Sequence, residues 1–328
     1  MSDACANTFR PSARLTYFVR SGRASPMLVR QNRELRLHVA TGASRPAYLS
    51  AASGLVRIGN HFYVVADDEL HLGVFPVSGN APGHLLRILQ GDLPGDPAER
   101  KKAKPDFEAL TILSPLEGHE DGALLVLGSG SNQHRRTGVL IPIRGEALVV
   151  RDSSVLDLAP LYRTLSGEIG QVNVEGAVVY GDRLLLLHRG NKGNTTNAIA
   201  AFSVPALLGS LEGGIFNAPL LGIQYYQLGA IGGVPLAFTD GAALSDGRLL
   251  FCAVAEDTAD SYHDGPTLGA IIGVIEDGEV SFVEPLMRQY KVEGIHAEQA
   301  GSSVHLWFVT DADDPSAPAA LLSAELQL

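Results

Sequence analysis

Five times along the chain a tiny residue opens a β-like run, and in four of the five an acidic residue stands directly before it. The copies read Asp106-Phe-Glu108-Ala109-Leu110, Asn173-Val-Glu175-Gly176-Ala177, Phe238-Thr-Asp240-Gly241-Ala242 and Lys291-Val-Glu293-Gly294-Ile295. A weaker copy, Ala51-Ala-Ser53-Gly54-Leu55, keeps the small residue and puts serine in the place of the acid. Successive copies lie about 55, 67, 65 and 53 residues apart. A recurring unit of that size points to radial or stacked repetition rather than to a two-layer domain.

Each unit carries the same parts in the same order. A first strand starts at the acid-small pair (54–58, 109–113, 176–180, 241–244, 294–298), and a tight turn follows, often with Gly, Asp or Asn. A more hydrophobic second strand comes next (62–66, 123–127, 184–188, 249–254, 304–310), then a third (72–77, 138–143, 198–204, 268–275, 320–326). Short β-like runs bounded by Gly, Pro, Asn and Asp are the mark of hairpins. With room for an outer strand such as 279–283, each unit reads as a four-stranded antiparallel meander, the blade of a β-propeller. The fold class is therefore all-β.

The count is five blades, or six if 14–40 forms a degenerate one. The last unit runs out of sequence after three strands, so its outer strand is expected from the N-terminus, from 14–20 or from 34–40. The expected organisation is a tail over 1–13 and one propeller over 14–328. A β-solenoid fits poorly, because its coils are much shorter than these repeats. Helix is scarce, with a turn or two expected near 156–165 and 205–211.

Composition narrows the function. Hydrophobic residues make up 45% and charged residues 19%, enough apolar content for a buried core. A net charge of −11 argues against general nucleic-acid binding, which needs clustered Lys and Arg. The basic runs 100–104 and 134–136 read as short solvated loops. No apolar run approaches a membrane span, and the N-terminus lacks the apolar core of a secretory signal. With only Cys5 and Cys252, no structural disulfide is expected, and a cytoplasmic protein is the simplest reading.

In a propeller the innermost strand of each blade lines the central channel. Crowding at the axis explains the small residue, and a carboxylate just before it would point to the channel mouth. Glu108, Glu175, Asp240 and Glu293 would then form a ring, with Ser53 as the fifth member. Packed carboxylates need a cation, raised pKa values or hydrogen-bond donors. The ring could bind a hard divalent ion, Ca²⁺ first and Mg²⁺ second. It could instead pin neighbouring blades through backbone N–H groups, or do acid-base work.

The same face receives the ends of the second strands, which carry Asp67 and Asp68, then 129–136, then His188, Arg189, Asn191 and Lys192. Glu256, Asp257, Asp260, His263 and Asp264 follow in the fourth unit, and Asp311, Asp313 and Asp314 in the fifth. Arg135, Arg136, His188 and Arg189 together suggest a hold on a small anionic molecule, although polar loop tips are ordinarily just solvated. Gly128-Ser-Gly-Ser-Asn132 lacks the Lys and the helix of a phosphate loop, and Asp311-Ala-Asp313-Asp314 lacks the Gly and the helices of an EF-hand. His296 reads as a packed strand residue.

The openings at 106–110 and 173–177 resemble the Asp-x-Glu-Gly motif of the esterase-like phytase propellers, and the broader group of calcium-dependent six-bladed lactonases and phosphoesterases. The likeness covers about 50–328. It implies metal ligands projecting into the channel from inner strands, with Glu108, Glu175, Asp240 and Glu293 as counterparts. Ser53 and the count of five blades depart from the group. The resemblance implies a metal-dependent hydrolase of a phosphate or carboxylate ester or lactone, with Glu108 and Glu175 catalytic. The alternatives are a non-catalytic module binding a sugar, peptide or protein, and a structural propeller whose acids pin blades.

Overall fold

A computed structural model of the chain describes residues 26–40, 45–115, 120–190, 195–211, 214–258, 265–311 and 313–328. The tail 1–13, the strand candidate 14–20, Cys5 and the loop residues Asn191, Lys192, Asp260, His263 and Asp264 lie outside the described residues.

Five antiparallel sheets make five blades. From the inside outwards, blade 1 is Ala52–Ile58, His61–Ala66, His71–Pro76 and His84–Arg87. Blade 2 is Phe107–Leu113, Ala123–Gly128, Thr137–Arg144 and Ser154–Asp157. Blade 3 is Val174–Tyr180, Arg183–His188, Asn197–Ser203 and Leu220–Tyr226. Blade 4 is Val234–Ala243, Leu249–Glu256, Thr267–Glu276 and Glu279–Pro285. Blade 5 is Val292–Ala300, Ser303–Thr310, Ala320–Gln327 and, from the N-terminal side of the chain, Arg30–Glu34. That last strand pairs with Ala320–Gln327, Arg30 opposite Ser323 and Glu34 opposite Ala320. The ring is thus closed by an N-terminal strand, as expected, but that strand shares only Glu34 with the 34–40 candidate.

The turns follow from their residues. Gly59 (φ 55°) and Gly181 (φ 60°) each open a two-residue hairpin loop, where the backbone must turn left-handed to match the twist of the flanking strands. The second strands read as unbroken apolar runs because each blade is covered on both faces. In Ala123–Gly128, Leu124 and Val126 pack with Val56, Val65 and Leu72 of blade 1. Leu125 and Leu127 face the other way, onto Leu184 and Leu186 of blade 3. Five apolar clusters fill the five blade interfaces, the last joining Phe62 and Val64 of blade 1 to Val309 and Leu321 of blade 5. Each fully buried Leu among them contributes roughly 1.5–3 kcal/mol.

The inner strands touch their neighbours around the whole ring, and there the small residues are required. A Cβ on Gly176 would lie 2.8 Å from Asp240 Cα, and one on Gly294 would lie 2.9 Å from Gly54 Cα. Every inner strand also carries a bulge at its start. Ser53, Glu108, Glu175 and Glu293 are each the unpaired, extra residue in blades 1, 2, 3 and 5. A bulge re-aims the side chain it carries, which sends these groups towards the channel.

Blade 4 departs from the sequence alignment. Its register shifts between Phe238 and Asp240, so Thr239 is the extra residue and Asp240 pairs with Cys252. By structure Thr239 is the counterpart of the acids, while Asp240 takes the place that Gly or Ala holds elsewhere. Matching the repeats on the acid-small pair misaligns this unit by one residue.

The helices expected near 156–165 and 205–211 appear as Ala159–Ile169 and Val204–Gly209. One helix was not expected, Pro97–Ala103. Asp96 caps it by accepting the Glu99 N–H at 2.9 Å, with Pro97 at its first turn. It overturns the reading of 100–104 as a solvated loop, since Arg100 and Lys104 are both buried. Arg100 donates to Asp68 O at 2.8 Å and to Glu69 Oε1 at 3.1 Å. Carboxylates one blade away, not water, hold these cations. Among the described residues no helix is long and apolar enough to cross a membrane.

Candidate functional site at the channel mouth

All five blades feed one cavity of about 510 Å³ where the inner strands begin. Eight carboxylates line it (Asp67, Asp106, Glu108, Glu175, Glu256, Asp257, Glu293 and Asp311) with five cationic side chains (Lys101, Lys104, Arg135, Arg189 and Lys291). A groove of about 600 Å³ beside Met27, Trp307 and Glu325 is larger, but it lies away from these charges.

Three ion networks organise the walls. In the first, Lys104 bonds Asp67 and lies 2.9 Å from Asp106 Oδ1, whose Oδ2 accepts from Arg135 at 2.8 Å and from Ser129 Oγ at 2.5 Å. Asp106 has φ 58°, an uncommon backbone for a non-glycine residue, and these bonds fix it there. In the second, Arg189 pairs with Glu256 at 2.6 Å and Glu175 at 3.5 Å, while Asn173 Nδ2 donates to Glu175 at 2.6 Å. In the third, Lys291 Nζ sits among Asp313 (2.5 Å), Glu293 (3.5 Å), Asp311 (3.6 Å) and Glu256 (3.8 Å). Glu256 joins the last two networks. Glu108 belongs to none: among the described residues it makes no hydrogen bond or ion pair.

Burial makes several of these acids weaker. Burial raises Glu108 well above the usual carboxyl range, and the charges of Asp106, Glu175 and Asp67 add to it against the pull of Lys104. Burial lifts Glu293 to about 8, opposed by Lys291 and Arg189. It lifts Asp67 to about 7, opposed by Lys104, and Asp311 to about 6, opposed by Lys291. Glu175 is raised as well, with burial first and Arg189 opposing. Raised carboxyl pKa values in a cavity are a mark of functional sites.

The residues singled out from sequence divide. Glu108, Glu175, Glu293, Arg135 and Arg189 line the cavity, as does Ser53. Asp240, Arg136 and His188 do not. Asp240 is buried and accepts the Ile295 N–H of blade 5 at 2.9 Å, so this acid does pin two blades. His188 is buried, its Nδ1 accepts the Asn173 N–H at 3.1 Å, and burial pushes its pKa down to about 4. His296 packs 5.8 Å from Trp307, as a strand residue should.

The acids close enough to share a cation are Asp67, Asp106 and Glu108, whose ligand oxygens lie within 4.8 Å of one another. Glu175 and Glu293 are drawn instead to Arg189 and Lys291. Three carboxylates are a donor set for a hard cation, although Lys104 already holds two of them. Reading the sequence put Asp67 and Glu108 at this face and missed their grouping with Asp106 and the parts of Lys104 and Lys291. A signal was available: residues two apart on a strand share a face. Of the five residues two before a bulge, four (Asp106, Asn173, Ala237 and Lys291) line the cavity, and Ala51 of blade 1 does not.

No curated protein matches the sequence. Among solved structures the chain is similar to MPT-4, a mannose phosphorylase from Leishmania mexicana in complex with phosphate ion. That likeness has 10% identity and a TM-score of 0.45, over 93% of this chain and 89% of that one. It is also similar to a luciferin-regenerating enzyme, at 10% identity and a TM-score of 0.41 over 92% and 95%. Likenesses this distant transfer nothing to this chain. The match to a sequence family is a different matter, for it runs over residues 48–326 and takes in the inner, second and third strands of all five blades and every cavity residue named above. The chain belongs to that family, described as a family of unknown function (DUF6929).

Proposed function

We propose that the protein binds a small polar molecule at the channel mouth, around a hard divalent cation, Ca²⁺ before Mg²⁺, held by Asp67, Asp106 and Glu108. The observation that carries this reading is the convergence of three carboxylates, with ligand oxygens within 4.8 Å of one another, at the wall of a polar cavity at the channel mouth. A cation bound there would lower the pKa of a coordinated water, the chemistry of ester or lactone hydrolysis. This chain's own residues would do the rest. Arg135 and Ser129 fix Asp106. The Arg100 and Arg45 bonds to Asp68 and Glu69 hold the neighbouring segment that presents Asp67. Lys104 would give way to the ion or stand beside it.

The expected result is Ca²⁺-dependent turnover of a member of a carboxylate-ester, lactone and phosphate-ester panel, lost with chelator and reduced at least a hundredfold in Glu108→Gln. No turnover by the wild-type protein across the panel in Ca²⁺ or Mg²⁺ would remove the hydrolytic part. A specific observation favours the second reading, non-catalytic binding. Arg135 and Arg189, the groups suited to stabilise developing negative charge, are already paired with carboxylates. Under that reading the same cavity binds its ligand without turnover.

A further inference from the structure

We infer that the cavity takes a small primary amine rather than an anion, a sugar or a quaternary ammonium, an inference that rests on the channel mouth being the ligand site. The balance of charge comes first. Carboxylates hold Lys104, Arg135, Arg189 and Lys291, and Lys101 also has partners. An anionic ligand would have to break one of these buried pairs, leaving a carboxylate unneutralised, which is costly in a sheltered site. The cavity has eight carboxyl groups to five cationic side chains, so acceptors are in surplus, and an ammonium beside Glu108 would favour the ionised carboxylate that burial alone disfavours. Glu108 has no partner, and Asp257 makes no side-chain bond among the described residues.

The chain's own lysines show what these walls accept. Two ammonium groups already sit in carboxylate nests: Lys104 between Asp67 and Asp106, and Lys291 among Asp313, Glu293, Asp311 and Glu256. A ligand ammonium placed at Glu108 would repeat the same chemistry, with N–H donors meeting acceptor-only carboxylate oxygens. The lining also separates kinds of cation. Among the described residues no aromatic ring lines the cavity. A quaternary ammonium, which has no N–H to donate, relies on aromatic faces. A primary amine needs only the acceptors that are present.

The test is titration calorimetry on the full chain at 150 mM NaCl, with spermidine and 1,4-diaminobutane as probes. Permethylated spermidine, glucose and inorganic phosphate serve as controls, and a thermal melt runs alongside. The expected result is saturable binding of one or both amines with a raised melting temperature, and none by the controls. Affinity should fall at least tenfold in Glu108→Gln. It should also fall in Asp257→Asn, an exposed position whose change does not threaten folding. Ca²⁺ should weaken amine binding, since both draw on Glu108. Absence of amine binding, affinity unchanged in both variants, or phosphate binding in place of amine would overturn the inference. If Ca²⁺ binds and no amine does, this inference falls and the channel-mouth site stands. If neither binds, both fall.

Discussion

Replacing Lys291 with methionine lowers the unfolding free energy by about 3–5 kcal/mol, the usual loss when one partner of a buried ion pair is removed. The side chain is 8% exposed, and Asp313, Glu293, Asp311 and Glu256 surround its ammonium. Methionine keeps the stem's packing and deletes the charge, so the loss reports electrostatics. Without Lys291, Glu293 and Asp311 must hold protons to stay buried, and that becomes harder as pH rises. The deficit is therefore larger at pH 8.5 than at pH 6. Denaturant unfolding of both proteins at the two pH values measures it. A loss under 1 kcal/mol at both would mean that water, not Lys291, compensates these acids.

The wild-type protein is itself less stable at pH 8.5 than at pH 6, the reverse of the usual carboxylate trend. Asp311, Asp67 and Glu293 titrate at about 6, 7 and 8 in the folded chain, raised by burial. In the unfolded chain they titrate near their ordinary values, about 4. Between those values the folded state carries more protons, so stability fully present below about pH 4 is lost as pH rises towards 8. His188 works in the opposite sense, since burial holds it at about 4 in the folded chain. Its contribution is present above its ordinary value near 6.5 and lost as pH falls below that. Three raised carboxyl groups outweigh one lowered imidazole, so the net stability from these four groups falls with rising pH across the whole range from 6 to 8.5. The fall to pH 8.5 is on the order of 3 kcal/mol, roughly 4 °C in Tm for a chain of this length. A melting temperature equal or higher at pH 8.5 would contradict it.

The repeat was legible because propeller geometry imposes it residue by residue. Hairpin turns need Gly at positions such as 59 and 181, doubly covered strands need unbroken apolar runs such as Ala123–Gly128, and the axis needs Gly54, Gly176 and Gly294. Closure by an N-terminal strand followed from the missing outer strand of the last blade. The position of the bulge was hidden. A one-residue register shift leaves no mark on the pattern Thr239-Asp240-Gly241, yet it moves Asp240 from the channel mouth to a blade-to-blade contact. Charge pairing was equally hidden, because it depends on which loops meet. Lys104 follows a capped helix and reaches Asp67 of the preceding blade, while Arg189 reaches Glu256 of the following one. A loop read alone therefore looks cationic when its charge is already neutralised. The site was legible as a location and in five of its residues, Glu108, Glu175, Glu293, Arg135 and Arg189, but not as a network.

The most direct measurement is calorimetric titration of Ca²⁺ into chelator-treated wild-type, Glu108→Gln and Asp240→Asn proteins. With Glu108 in the triad and Asp240 holding Ile295, wild type and Asp240→Asn bind one ion with similar affinity, and Glu108→Gln binds at least tenfold more weakly. No binding by the wild-type chain, or binding lost in Asp240→Asn and kept in Glu108→Gln, would contradict a cation site at Asp67, Asp106 and Glu108.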